Sequence, residues 1–431
     1  MKAWWFPWLF ACLAAAAAPA VAGEPIQAAD SLAHRQVLLM LRVPVAHYRP
    51  DASYGNDYAD APGRLARRRT AGALARAHGL SLHDEWPMPA LGVDCFVLEA
   101  ADADAAARGA MALASDPRVE SVQPMQLFHA LGIPSRASQP RTDGDDPLYA
   151  AQPAATAWHL DALHAQSTGR GVRIAVIDSG VALDHPDLRG QVAVERDFVD
   201  AAGRAGERPV AEAHGTAVAG IIAARAGNGV GIVGIAPQAR LLALRACWQR
   251  DAGPAACSSF TLARALQFAI DARAQVVNLS LSGPEDRLLS RLLDAALQRG
   301  ISVVGAVDAQ ARDGGFPASH PGVLAVDGFG RDAGSRAALH APDAGIPAPL
   351  PDGGWGLVSG ASFATAQVSG LAALLLQRRP GLAPLQLSAL LQPEAGVTLA
   401  PERPRAIDAC AAMQRAAGHC ACACAATSAA R

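Results

Sequence analysis

The chain has 431 residues, with 37 Lys and Arg against 39 Asp and Glu and a formal net charge of −2. That length exceeds one small domain and can enclose a large core. The balanced charge excludes a basic footprint for nucleic acid and a polybasic membrane patch.

Residues 1–22 read as a secretory signal: Lys2 supplies the positive end, 4–18 form an apolar run, and Ala20-Val21-Ala22 fits the small-residue cleavage rule. No later stretch reaches about 18 uncharged apolar residues, so no membrane span is expected once the signal is removed. A secreted or periplasmic location follows. Export makes the eight cysteines readable as disulfide partners. Cys12 leaves with the signal and Cys95 falls in an N-terminal domain. Cys247 and Cys257 flank a polar turn, so a local bridge is expected there, contributing roughly 2–3 kcal/mol on the chain-entropy model. The pairing of Cys410, Cys420, Cys422 and Cys424 is open.

Residues 31–130 alternate in the order β-α-β-β-α-β. Strands are predicted over 36–43, 80–86, 92–99 and 119–125, and helices over 63–78 and 101–115. This is the split βαβ pattern of a small two-layer domain. Residues 131–146 are rich in Pro, Ser, Gly, Arg and Asp and read as an exposed linker and processing zone. Beyond it, short apolar strands alternate with helices across 147–395. That rhythm predicts an α/β domain with a mainly parallel sheet, whose sites form beyond the strands' carboxyl ends. A Cys-rich extension occupies 396–431.

Three motifs carry chemistry. The strand over 172–177 runs into Asp178-Ser179-Gly180, which places a carboxylate at a strand's carboxyl end. His214-Gly215-Thr216-Ala217-Val218-Ala219-Gly220 opens a helix of small residues predicted over 216–226. Gly360-Ala361-Ser362-Phe363-Ala364-Thr365 puts a serine at a helix N-terminus, where unpaired N–H groups and the dipole favour negative charge. Singly, each reads equally well as a turn or a cap. Together they supply a nucleophile, a general base and a carboxylate that orients the base.

These stretches resemble the three signatures of the subtilisin-like serine proteases, in that family's order of Asp, His and Ser. The resemblance covers about 145–395. It implies a subtilisin-like three-layer domain and a secreted serine endopeptidase acting on peptide or protein substrates. No cofactor is implied for the chemistry. The resemblance also implies that the 31–130 domain is an inhibitory, chaperone-like prodomain and that 131–146 is cut during maturation. Ser280, Leu281 and Ser282 resemble the edge strand that pairs with substrate and walls the S1 pocket, opposite Gly305 and Ala306. Asp187 and Asn228 match positions that ligate a structural calcium in many relatives; plain turns are the alternative there.

One position departs from the family. Relatives carry an asparagine whose amide donates to the oxyanion, and Asp308 stands there. An ionised carboxylate cannot donate, and loss of such a donor costs about 10²–10³ in rate. Four readings stay open: a protonated Asp308 that donates, Gln310 in its place, the Ser362 N–H acting largely alone, or an inactive relative. A silent peptide-binding module and an esterase are the alternatives to a peptidase.

Overall fold

The computed structural model describes residues 32–44, 61–135, 146–200, 209–250, 253–329, 338–392, 406–418 and Cys422. The predicted signal at 1–22 and most of the linker lie outside the described residues.

The small domain follows the predicted order: β1 (Gln36–Arg42), α1 (Ala61–Ala77), β2 (Ser81–Met88), β3 (Val93–Glu99), α2 (Ala103–Ala114) and β4 (Val119–Pro124). Its antiparallel sheet has the order β2-β3-β1-β4. The continuous apolar run of β1 has a physical cause. Val37, Leu39 and Leu41 pack under α1 and α2 with Phe96, Leu74 and Leu113. Leu38 and Met40, on the opposite face, enter a core shared with the large domain. A strand buried on both faces must be apolar at every position.

Among the described residues the large domain is built on seven parallel strands, ordered across the sheet as 339–341, 324–328, 302–306, 276–279, 173–178, 240–245 and 192–197. They are β7 (Arg173–Asp178), β8 (Val192–Asp197), β9 (Arg240–Arg245), β12 (Val276–Leu279), β14 (Ser302–Ala306), β15 (Leu324–Gly328) and β16 (Leu339–Ala341). Alternate residues of β7 separate the two cores. Ile174 and Val176 pack with α3 (Ala213–Ala223) and α6 (Ala361–Arg378). Ala175 and Ile177 face α4 (Ser259–Asp271) and α5 (Arg287–Gln298). Helices on both faces of a parallel sheet make the three layers that were expected.

The small sheet docks on α4 and α5. Gln123 donates to Asp286 at 2.8 Å and accepts from the Leu288 N–H at 3.0 Å. Arg291 pairs with Glu120 at 3.0 Å. Among the described residues two disulfides are present, Cys247–Cys257 and Cys410–Cys422. The first was expected; the second answers part of the open pairing.

Three boundaries differ from the sequence reading. Helix α3 begins at Ala213, so His214 sits in its first turn rather than ahead of it. The supposed linker holds β6 (Ile133–Ser135), because an extended segment there finds a strand edge for its main-chain groups. The extension after 395 is not separate: in the helix Ala409–Ala417, Ala409, Ala412 and Met413 belong to the same core as α3 and α6. Among the described residues, no helix is long and apolar enough to cross a membrane.

Candidate active site

Asp178 closes β7, and His214 is the second residue of α3. His214 Nδ1 lies 2.7 Å from Asp178 Oδ1, and both residues are buried. An ionised carboxylate only accepts, so Nδ1 carries a proton toward Asp178. Nε2 has no hydrogen-bond partner among the described residues. The glycine after the histidine has a steric reason. A Cβ on Gly215 would run into the Ser179 carbonyl, and the Gly215 N–H donates to Ser179 Oγ at 3.0 Å.

Glu212, two residues before the histidine, ties this corner together. It accepts from the Gly180 N–H at 2.7 Å and the Gln249 N–H at 2.7 Å. Its other partner is Arg245 at the end of β9, 3.0 Å away. Burial disfavours the charge of Arg245, but the bonds from Glu212 and Asp197 outweigh it and raise its pKa. The sequence reading missed both residues. A lone acidic residue two places before the histidine was the available signal, but its partner is 33 residues away.

Ser362 is the second residue of α6, behind Gly360 with φ 133°. A Cβ on Gly360 would stand 2.6 Å from the Leu131 carbonyl oxygen. Glycine is therefore what admits the neighbouring chain. The Ser362 N–H donates to that oxygen at 3.0 Å. Ser362 Oγ donates to the Ser280 carbonyl at 2.8 Å and accepts from the Leu131 N–H at 3.0 Å. The hydroxyl thus faces away from His214 in this arrangement. Asn278 links the wall to the nucleophile helix, donating to Ser280 Oγ and accepting from Ser369 Oγ.

The chain's own segment 127–135 lies across this site. Strand β5 (Leu127–Ala130) is inserted antiparallel between β11 (Ala256–Ser258) and β13 (Leu281–Ser282). The Leu131 N–H reaches the Ser280 carbonyl at 3.4 Å. On the far side β6 pairs with β18 (Trp355–Ser359). The Leu131–Gly132 peptide bond therefore sits over Ser362, paired on both flanks. Leu281 and Ser282 pair with this strand, and Ser280 follows on beside Leu131. The opposite rail, β11, was missed because its three residues carry no periodic pattern.

A cavity of about 570 Å³ beside Leu131 and His214 is lined by Val307, Asp308, Ala309 and Gln310. Gly305 and Ala306 are buried in β14 and are not among its lining residues. Asp308 Oδ1 accepts from the Gln310 N–H at 2.9 Å. No hydrogen bond joins Asp308 to the Leu131 carbonyl among the described residues, whose donor here is the Ser362 N–H.

Asp187 and Asn228 do meet, but they do not form a calcium cradle. The Asn228 amide donates to Asp187 Oδ1 at 3.0 Å. Oδ2 accepts from the Trp355 indole at 2.6 Å and the Ile232 N–H at 3.1 Å. N–H donors fill the positions a cation would take, and burial raises the Asp187 pKa despite them. Among the described residues, no three His, Cys, Asp or Glu form a group that could hold a metal.

The family model for the Subtilase family matches residues 169–418. Subtilisin E of Bacillus subtilis (strain 168) is 35% identical over 234 residues, covering 51% of this chain and 59% of its own length. A subtilisin from Bacillus pumilus is 34% identical over 234 residues, which is 82% of that protein. The crystal structure of fervidolysin from Fervidobacterium pennivorans, a keratinolytic enzyme related to subtilisin, superposes with a TM-score of 0.65 at 23% identity, covering 88% of this chain and 60% of that one. At that identity the superposition speaks for the fold alone.

Proposed function

The chain belongs to the Subtilase family, and on that premise we propose that it is a serine endopeptidase made as a zymogen. The observation that carries the proposal is the seating of Leu131. Its carbonyl accepts from the Ser362 N–H, and its flanks are paired as strands on both sides of the nucleophile. Strand addition is a general way to hold a peptide substrate, and the chain presents itself in that mode.

In the proposed reaction, rotation about the Ser362 Cα–Cβ bond turns Oγ from Ser280 toward His214 Nε2, which accepts a proton in the neutral tautomer. Oγ attacks the scissile carbonyl carbon as Nε2 takes its proton. Asp178 holds the imidazole and stabilises its cation. The oxyanion forms against the Ser362 N–H and the positive end of α6. Collapse expels the amine, which receives the proton from Nε2. Water then repeats the sequence on the acyl-serine, releasing the acid and restoring Ser362.

The first bond cut would be Leu131–Gly132. Residues 31–130 would act as the inhibitory prodomain, and β5 would remain in the groove as product until released. The two disulfides and the signal-like residues 1–22 support export to an oxidising compartment. Peptides or proteins are the substrates on this reading. Calcium is not assigned, because the Asp187 surroundings do not suit it.

Asp308 favours a second reading, a silent peptide-binding module. Labelling with a fluorophosphonate serine probe from about pH 4 to 9 separates the two. Wild-type labelling that disappears in Ser362→Ala supports the peptidase. A folded, prodomain-free sample that never labels supports the silent module.

A further inference from the structure

We infer that the residue after the nucleophile, Phe363, restricts the first position beyond the scissile bond to glycine. The inference rests on the peptidase reading above and adds a specificity to it.

The position is occupied by Gly132. A Cβ built on Gly132 would press into Phe363 Cε2 and stand 3.0 and 3.1 Å from Cζ and Cδ2. Ordinary carbon contacts begin near about 3.5 Å, so a side chain there overlaps the ring on one whole edge. The opposite side offers no retreat. Gly360 approaches so closely that its own Cβ would lie 2.9 Å from the Gly132 Cα. Gly132 is thus clasped between a bare backbone and an aromatic edge.

The ring has little freedom to give way. Phe363 is fully buried in the core beneath α6. The His214 ring packs against it as well, with centroids 5.4 Å apart and planes at 45°. Moving Phe363 away from a substrate side chain would disturb the imidazole that must take the serine proton. Phe363 therefore couples two tasks: it backs the base and it closes the site against any Cβ.

The preference differs in kind from that on the other flank. Residues 127–131 are held by main-chain bonds between two rails, and the buried Phe128 ring fills a pocket beside Phe316, so recognition there is by attraction. Gly132 is selected by exclusion, through a clash rather than an attraction. Substrates would then be extended segments carrying an Xaa-Gly bond, such as glycine-rich loops or linkers.

The test uses the enzyme as it stands after self-processing and quenched fluorescent peptides that match residues 127–135, with Gly, Ala, Ser or Leu in place of Gly132. We expect kcat/KM for Gly to exceed that for Ala by about ten- to a hundredfold, the scale of forcing a methyl into a packed site. Phe363→Ala should bring that ratio close to unity. The ratio cancels any general loss from a shifted His214, so a purely structural role for Phe363 would leave it unchanged. In the intact chain, Gly132→Ala should slow self-cleavage, and adding Phe363→Ala should restore it. Equal cleavage of Gly and Ala peptides by the wild type overturns this inference alone. Failure to cleave all four overturns the peptidase reading and this inference with it.

Discussion

The two walls of the site are built differently. Asp178, His214 and Ser362 stand at the end of a strand and in the first turns of two helices, each locked by buried partners. The facing wall, Val307 to Gln310, is a turn whose aspartate, among the described residues, bonds only within its own loop. The first wall holds the carboxylate, imidazole and hydroxyl that the proposed reaction uses. The second presents Asp308 where the sequence resemblance leads one to expect an amide donor, with Gln310 two residues on. The difference teaches that a catalytic wall fixed by packed elements tolerates little change, whereas a loop wall can change chemistry without disturbing the fold.

The comparison breaks most sharply at Asp308. Asp308→Asn supplies a neutral amide donor, and kcat at neutral pH should rise by up to about 10²–10³ on peptide substrates. A fall in kcat would mean that the aspartate itself serves the oxyanion, and the second wall would not be deficient. On the first wall, Glu212→Gln weakens the ties to Arg245 and the loop around Gly180 that frame the histidine. We expect kcat to drop about tenfold with KM nearly constant, because positioning is lost and substrate contacts are not.

Smaller effects lie away from both walls. Trp355→Phe removes an indole donor from the buried Asp187 carboxylate. Thermal unfolding should show a loss of about 1–3 kcal/mol, while a chelator leaves the wild-type Tm unchanged. A Tm that falls on chelation would restore the calcium assignment. The smallest effect concerns docking of the small domain. Arg42, against some opposition from burial, and Arg291 hold the Glu120 carboxyl below its usual 4.5. A lowered carboxylate pKa contributes stability above that usual value, and the contribution is lost as pH falls through the lowered one. In a Ser362→Ala background, Glu120→Gln should cost no more than about 1 °C at pH 7. The difference should shrink as the pH is lowered beneath 4.5.

The sequence made the regular parts of the molecule legible. Strand and helix periodicity marked the β-α-β-β-α-β domain, and the three motifs marked Asp178, His214 and Ser362, because each sits on an element with a local pattern. What escaped was set by distant pairing. Leu131 and Gly132 look like the start of a linker until β13 and β18 are found beside them. Phe363 looks like one more core aromatic until the ring is seen against Gly132. Glu212 and Arg245 are 33 residues apart and meet only where β9 ends beside α3. Asp187 and Asn228 matched a cation pattern, but the Trp355 indole that fills it comes from 168 residues away.

The central claim is that the chain cuts itself at Leu131–Gly132 through Ser362. Intact-mass measurement and N-terminal sequencing of purified wild type and Ser362→Ala test it directly. The account predicts a new N-terminus at Gly132 in the wild type and an uncut 131–132 bond in the variant. The same cut in Ser362→Ala, or a folded wild type that stays intact at this bond, would contradict it.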